Sequence, residues 1–148
     1  MRIDEILKHK RTLSFEVFPP KKGGEGKEKL LATIDELAGL RPDFISVTYG
    51  AGGSNSKNTV EIADYIQNSA HVNALAHITG GPSSPETVDE LARTLKEKGI
   101  ENVLCLRGDK PVGYEAEYCK YFAHATDLAS YLAPYHFTLG AACYPEGH

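Results

Sequence analysis

No C-x-x-C pair occurs in this sequence, and its cysteines are few and odd in number: Cys105, Cys119 and Cys143. That spacing argues against a disulfide framework or a cysteine zinc site and reads as buried or free thiols in a reducing cytoplasm. No histidine spacing points to another metal site. No basic block stands out and the net charge is -4, which argues against phosphate-backbone binding as the main task. No apolar run approaches membrane-spanning length, and Met1 leads into a charged segment without a signal-peptide core. What remains is a chain of 148 residues, 41% hydrophobic and 24% charged, with the balance of one globular domain over residues 1–148.

Five apolar runs have the character of strands: L-S-F-E-V-F, D-F-I-S-V-T-Y-G, N-A-L-A-H-I-T-G, N-V-L-C-L-R-G-D and H-F-T-L-G-A-A-C-Y. Their centres recur every 30 residues or so, the size of one strand-plus-helix unit. Between them lie helical patterns. Leu30, Leu31, Ile34, Leu37 and Ala38 share a face closed by Gly39. Ser54 to Gln67 turns Val60, Ala63 and Ile66 inward. Ser84, Pro85 and Glu86 supply a cap, a first-turn proline and an acid at the positive end of the dipole. Val88, Leu91 and Leu95 continue that face and Gly99 ends it. Tyr118, Phe122, Ala125, Ala129 and Leu132 predict a fourth face stopped by Pro134.

Strand–helix alternation with near-continuously apolar strands predicts a parallel sheet covered by helices. Two architectures satisfy it: an open doubly wound sheet of flavodoxin type, or the first strands of an eight-stranded barrel. Length favours the open sheet. The lack of a helix after the fifth run, and of G-x-G-x-x-G after the first, favours the barrel. G-A-G-G-S at Gly50 to Ser54 is by itself a weak phosphate signal.

Polar residues gather where the strands end: Glu16, Thr48 and Tyr49, His77 and Thr79, Arg107 and Asp109, then Tyr144, Glu146 and His148. Both architectures bind ligands at that edge. Glu16, between Phe15 and Val17, reads either as a paired structural acid or as a general acid kept protonated by burial. His77 reads as a core histidine or a ligand-facing one. Arg107-Gly108-Asp109 reads as a self-paired turn or as a fixed charge beside a permissive glycine.

Six stretches, S-F-E-V-F-P-P-K, F-I-S-V-T-Y-G-A-G-G-S, A-H-I-T, N-V-L-C-L-R-G-D-K-P, H-A-T-D-L and A-A-C-Y-P-E-G-H, together resemble the flavin-dependent methylenetetrahydrofolate reductases. They follow the family's order along almost the whole chain. The resemblance implies a (β/α)8 TIM barrel, here a partial barrel of about five parallel strands and four helices. It implies FAD, reduced by NADH or NADPH, passing hydride to 5,10-methylenetetrahydrofolate in one-carbon and methionine metabolism. Glu16 would be the general acid, protonated near neutrality by its position among Phe15, Val17 and Phe18. Asp109 would act beside the flavin pyrimidine or on the pterin. Thr48, Tyr49, Ala51, His77, Leu106, Arg107, Gly108, Asp109, His124, Ala125, Ala142, Tyr144 and His148 match FAD-lining positions. The sequence departs from the family in A-G-G-S after Tyr49 and in His124, where some relatives have tyrosine. The family's second barrel half has no counterpart here.

These residues set three expectations. One is a cytoplasmic reductase with a folate substrate and no nucleic-acid or membrane partner. Another is a partial barrel that binds flavin or nucleotide without turnover. The last is a ligand-free remnant acting through subunit contacts. Unpaired apolar edges would favour a homo-oligomer. The geometric expectation behind the first is that Glu16, Thr48, His77, Asp109 and Tyr144 aim from one rim into one pocket.

Overall fold

The computed structural model describes residues 1–20, 26–49, 56–110 and 117–143. The strands are β1 (Ser14–Val17), β2 (Phe44–Val47), β3 (Asn73–Thr79), β4 (Asn102–Leu106) and β5 (Thr138–Ala141). The helices are α1 (Ile3–His9), α2 (Lys27–Gly39), α3 (Ser56–Asp64), α4 (Pro85–Glu97) and α5 (Ala125–Leu132).

All five strands are parallel and lie in the order β1-β2-β3-β4-β5. This settles the choice of architecture. A flavodoxin sheet would place β1 between β2 and β3. Consecutive order is that of a barrel wall, so the chain is a partial (β/α) barrel.

The two sides of this sheet differ in chemistry. Val17, Ile45, Val47, Ala74, Ala76, Ile78, Val103 and Cys105 alternate onto one side and are all buried. There they meet Ile34 of α2, Ala63 of α3, Val88 and Leu95 of α4 and Leu128 and Leu132 of α5 in one core. Burying each of the Val, Leu and Ile side chains among these contributes about 2 kcal/mol. The register puts Glu16, Ser46, Leu75 and Asn102 on the opposite, inner side.

Helix α1 was not foreseen from the sequence. It covers the N-terminal end of that inner side. Asn73, Asn102 and Thr138 open three successive strands, and all three bond the first four residues of the chain. The Met1 amine donates to Asn73 Oδ1 (2.9 Å), the Ile3 N–H to Asn102 Oδ1 (2.8 Å) and Thr138 Oγ1 to Asp4 Oδ1 (2.9 Å). Asn102 Nδ2 also donates to the carbonyls of Met1 and Ala74, both at 3.2 Å.

Elsewhere the helices follow their sequence signals with corrections at the ends. Ser84 Oγ accepts from the Thr87 N–H with Pro85 at the first position, as expected, and Gly99 adopts φ +71° after α4. Gly39 is the last residue of α2 and not its stop; the chain reverses at Arg41, φ 55°. α3 runs on as a π-turn, Tyr65–Ser69, which lets Gln67 Oε1 accept from the Ala74 N–H at the foot of β3 (3.1 Å). The fourth predicted face is cut short: α5 starts only at Ala125, and residues 117–124 are irregular. Pro134 lies inside a 3-10 turn, Ala133–Tyr135. The four helices expected between the strands are therefore α2 to α5, and α1 is an addition before β1.

Candidate functional site

Strand alternation decides where Glu16 goes. Phe15 and Val17 turn toward the helices, so Glu16 between them turns to the inner side. It is not buried among Phe15, Val17 and Phe18. Its side chain is 48% exposed, and Phe18 is itself 67% exposed. This corrects the expectation that burial would hold its proton.

Glu16 instead faces two partners. Ser46 Oγ donates to Glu16 Oε2 at 3.4 Å, and His77 Nε2 lies 3.6 Å from the same oxygen. His77 is 6% exposed. Burial pulls its imidazole below the ordinary histidine range, and the Glu16 charge opposes that shift. Neither reading of His77 stands alone: it is buried, and it faces the carboxylate expected to be the general acid. Ser46 was missed in the sequence, although its place within β2, two residues before Thr48, is a period-two signal.

A second cluster lies at the C-terminal ends of β4 and β5, beside the first turn of α5. A cleft of about 320 Å³ is lined by Cys105, Leu106, Arg107, Gly108, Asp109, His124, Ala125 and Ala142. Its size falls at the lower end of small-molecule sites. Gly108 has φ +80°, and a methyl there would lie 3.0 Å from Tyr118 Oη and 3.2 Å from Thr79 Cβ, so glycine is required twice over. Arg107 Nε donates to the Gly108 carbonyl at 3.3 Å, bracing the turn. Asp109 is exposed at the mouth. The first turn of α5 is closed by the His124 N–H donating to Asp127 Oδ2 at 2.9 Å. Burial raises the Cys105 thiol to about 11, so it is a packing atom there and not a nucleophile.

Thr48 extends the ladder past β2, its N–H donating to the Val17 carbonyl (3.1 Å), while its own carbonyl accepts from Thr59 Oγ1 (3.1 Å). Tyr49 is partly buried against the core. Ala51, Tyr144, Glu146 and His148 lie outside the described residues. The expected residues that are described therefore form two groups. Glu16 and His77 sit within strands on the inner side, while Asp109 belongs to the cleft formed by the loops after β4 and β5.

The cleft's donor set fits part of a flavin nucleotide. Leu106, Ala125 and Ala142 offer apolar surface, and Arg107 offers a fixed positive charge.

Comparison with known proteins gives a consistent result. A family model described as Methylenetetrahydrofolate reductase matches residues 2–148. The chain is similar to a "Probable methylenetetrahydrofolate reductase (NADH)" of Oryza sativa subsp. japonica, 39% identical, covering 99% of this chain and 26% of the relative. It is similar to "Methylenetetrahydrofolate reductase (NADH) 1" of Zea mays, 41% identical, covering 91% and 23%. It is also similar to the "5,10-methylenetetrahydrofolate reductase" of Escherichia coli (strain K12), 35% identical, covering 92% and 45%. The chain thus spans about a quarter of the plant relatives' length and under half of the bacterial one.

Proposed function

The chain belongs to the methylenetetrahydrofolate reductase family, and on that premise we propose that it serves the reduction of 5,10-methylenetetrahydrofolate to 5-methyltetrahydrofolate. A reduced nicotinamide dinucleotide is the electron source in this reading, and NADH is the first to test because the rice and maize relatives carry it in their names. When bound, FAD supplies the hydride relay between the two substrates. A cytoplasmic location, a role in methionine supply and a homo-oligomeric state belong to the same proposal.

One observation carries the reading. Of the eight residues lining the cleft, every one except Cys105 is a position that the family resemblance assigned to FAD.

The chain's own residues divide the work. Arg107 sets a positive charge against the pyrophosphate or ribityl part of the cofactor. Leu106, Ala125 and Ala142 cover its apolar surface. Thr48 would bond the ring edge, and Tyr49, His77, Gly108 and His124 would add to the lining; Ala51, Tyr144 and His148, outside the described residues, are assigned to it by the family resemblance alone. Asp109 would place negative charge beside the flavin, where it would favour hydride departure, or would accept from the amino-pyrimidine edge of the pterin. Glu16 gives a proton to the bridging-methylene nitrogen, opening the ring to an electrophilic iminium.

Titrating FAD against the purified chain tests this. We expect quenched flavin fluorescence and a shifted visible band, with affinity at least tenfold weaker in Arg107→Ala. A chain that leaves the flavin spectrum and fluorescence unchanged overturns the cofactor assignment. The half-exposed carboxylate of Glu16 favours a second reading, a flavin-binding module without turnover. That reading expects the same spectral change but no NADH oxidation with menadione as acceptor.

A further inference from the structure

Glu16 poses a physical problem for a proton donor. A carboxyl is held neutral for donation only by its surroundings, and burial, the usual means, is absent at half-exposed Glu16. What the inner side provides is a partner. Burial lowers the His77 imidazole from its ordinary range toward that of a carboxyl, and the Glu16 charge opposes that lowering. Two groups so matched and adjacent titrate as a pair, and the first proton belongs to both.

We propose that His77 is the positioning residue and proton partner of Glu16, the two sharing one proton that leaves for substrate from the Glu16 oxygen; this rests on the reductase reading given above. The geometry that carries it is narrow. His77 Nε2 and Ser46 Oγ converge on one oxygen, Glu16 Oε2, at 3.6 and 3.4 Å, leaving Oε1 free of both. His77 is held by burial within β3, whereas Glu16 is half exposed and able to move. At 3.6 Å the pair is just beyond hydrogen-bond range, and a small rotation of Glu16 closes it.

The transfer balances without any redox partner. The Nε2–H bond of the imidazolium breaks as an O–H bond forms on Glu16. That proton then passes to the lone pair of the substrate nitrogen. Neutral imidazole and carboxylate remain, and the exposed carboxylate reloads the pair from water. A substrate covering the inner side would drive the first step, because excluding water disfavours the charged pair relative to the neutral one. Burial of His77 already acts in that direction.

Few other groups compete for the proton. Among the described residues, the pair shares the inner side with Ser46 of β2 and Thr48 just past its end, Leu75 and Thr79 of β3, Asn102 and Leu104 of β4 and Thr138 of β5, none of which titrates in the working range; the carboxylate of Asp4, bonded to Thr138, lies at the opposite, N-terminal end of the strands. The charged residues at the same edge, Arg107 and Asp109, follow β4.

The test is a pH titration of the 148-residue chain by NMR, following the His77 ring nitrogens and the Glu16 carboxyl carbon. We expect the Glu16 carbon to show a second inflection at the His77 midpoint, and that midpoint to lie above the carboxyl's own. In Glu16→Gln the His77 midpoint should fall by about half a unit or more, because the anion that favours imidazolium is gone. Glu16→Asp, which keeps the charge on a shorter arm, should fall between. A His77 midpoint unmoved by Glu16→Gln overturns the proposal. If no variant folds, a Glu16 carbon in the parent chain with no inflection at the His77 midpoint overturns it equally. None of these readings needs flavin, so a coupled pair in a chain that ignores FAD would leave the pairing intact and remove the reductase reading.

Discussion

The side chain of Tyr118 lies against Gly81, so close that a methyl on Gly81 would stand 2.6 Å from both its Cε1 and its Oη. The same hydroxyl would stand 3.0 Å from a methyl on Gly108. Beside this contact the Cys119 N–H donates to the Gly81 carbonyl at 2.8 Å. One tyrosine therefore seats the irregular segment before α5 on the loops after β3 and β4. That segment delivers His124 and Ala125 to the cleft.

Gly81→Ala should accordingly disturb the cleft from outside it. Gly81 does not have positive φ, so the cost is overpacking, about 1–3 kcal/mol. Urea unfolding should show the loss. Adding Tyr118→Ala should restore part of it, giving a double mutant less damaged than the sum of the singles. Additive losses would show that the ring contact is not what Gly81 serves.

Asn102 ties α1 to the sheet while itself fully buried. Asn102→Ala would strand the Ile3 N–H and the carbonyls of Met1 and Ala74, and should cost about 3 kcal/mol. Amide exchange should reveal where. Protection at Ile3 and Ile6 should fall well before that of Ile45 or Val103 in the core. Uniform loss across the sheet would mean that Asn102 supports the strands and not the helix.

Much of this fold was legible because its signals are local. The Ser84-Pro85-Glu86 cap, the stop at Gly99 and the apolar strands each depend on neighbouring residues, and each stands where expected. Strand order was not local, and only the pairing itself separated barrel from open sheet. Helix α1 escaped notice because seven residues are too few to show periodicity, and its stability comes from Asn102 and Thr138, nearly a hundred residues or more away. The fourth helix was drawn too long because Phe122 is buried, as a helix face would require, but by an irregular segment. At the site, the residues that line the cleft, Cys105 apart, had been singled out through motifs, which are local signals. The surroundings of Glu16 were misjudged, because adjacent residues in a strand face opposite ways and Phe15 and Val17 say nothing about its burial.

The three thiols should separate by reactivity. Cys143 is exposed, Cys119 half-buried and Cys105 buried with its thiol pushed up to about 11. With an aromatic disulfide reagent near pH 8, Cys143 should react first and Cys119 more slowly. Cys105 should react only on unfolding, and so at a rate that follows urea concentration. Fast labelling of Cys105 in the native chain would contradict its packing between β4 and the helices.

Stability should fall toward acid in two stages, and the sign follows from proton uptake. Burial holds His77 below the ordinary histidine range, so between its folded midpoint and about pH 6.5 the unfolded chain binds the extra proton. Stability contributed by the neutral ring is therefore present above that range and is lost as pH falls through it. The carboxylates act lower down. The Lys10 bond and the Leu13 N–H hold Asp43 low, and the Tyr135 hydroxyl does the same for Asp89. Asp64 is raised by burial but held low on balance by Lys98 and Asn68. Each contributes above the ordinary carboxylate range, and that contribution disappears below about pH 4 as the folded groups take protons. Denaturation midpoints measured from pH 8 to pH 3 should thus decline gently through the first window and steeply through the second. Asp89→Asn should flatten only the lower limb, since the amide still accepts from Tyr135 but no longer titrates. A variant whose lower limb matched the parent's would show that Asp89 does not contribute to acid sensitivity.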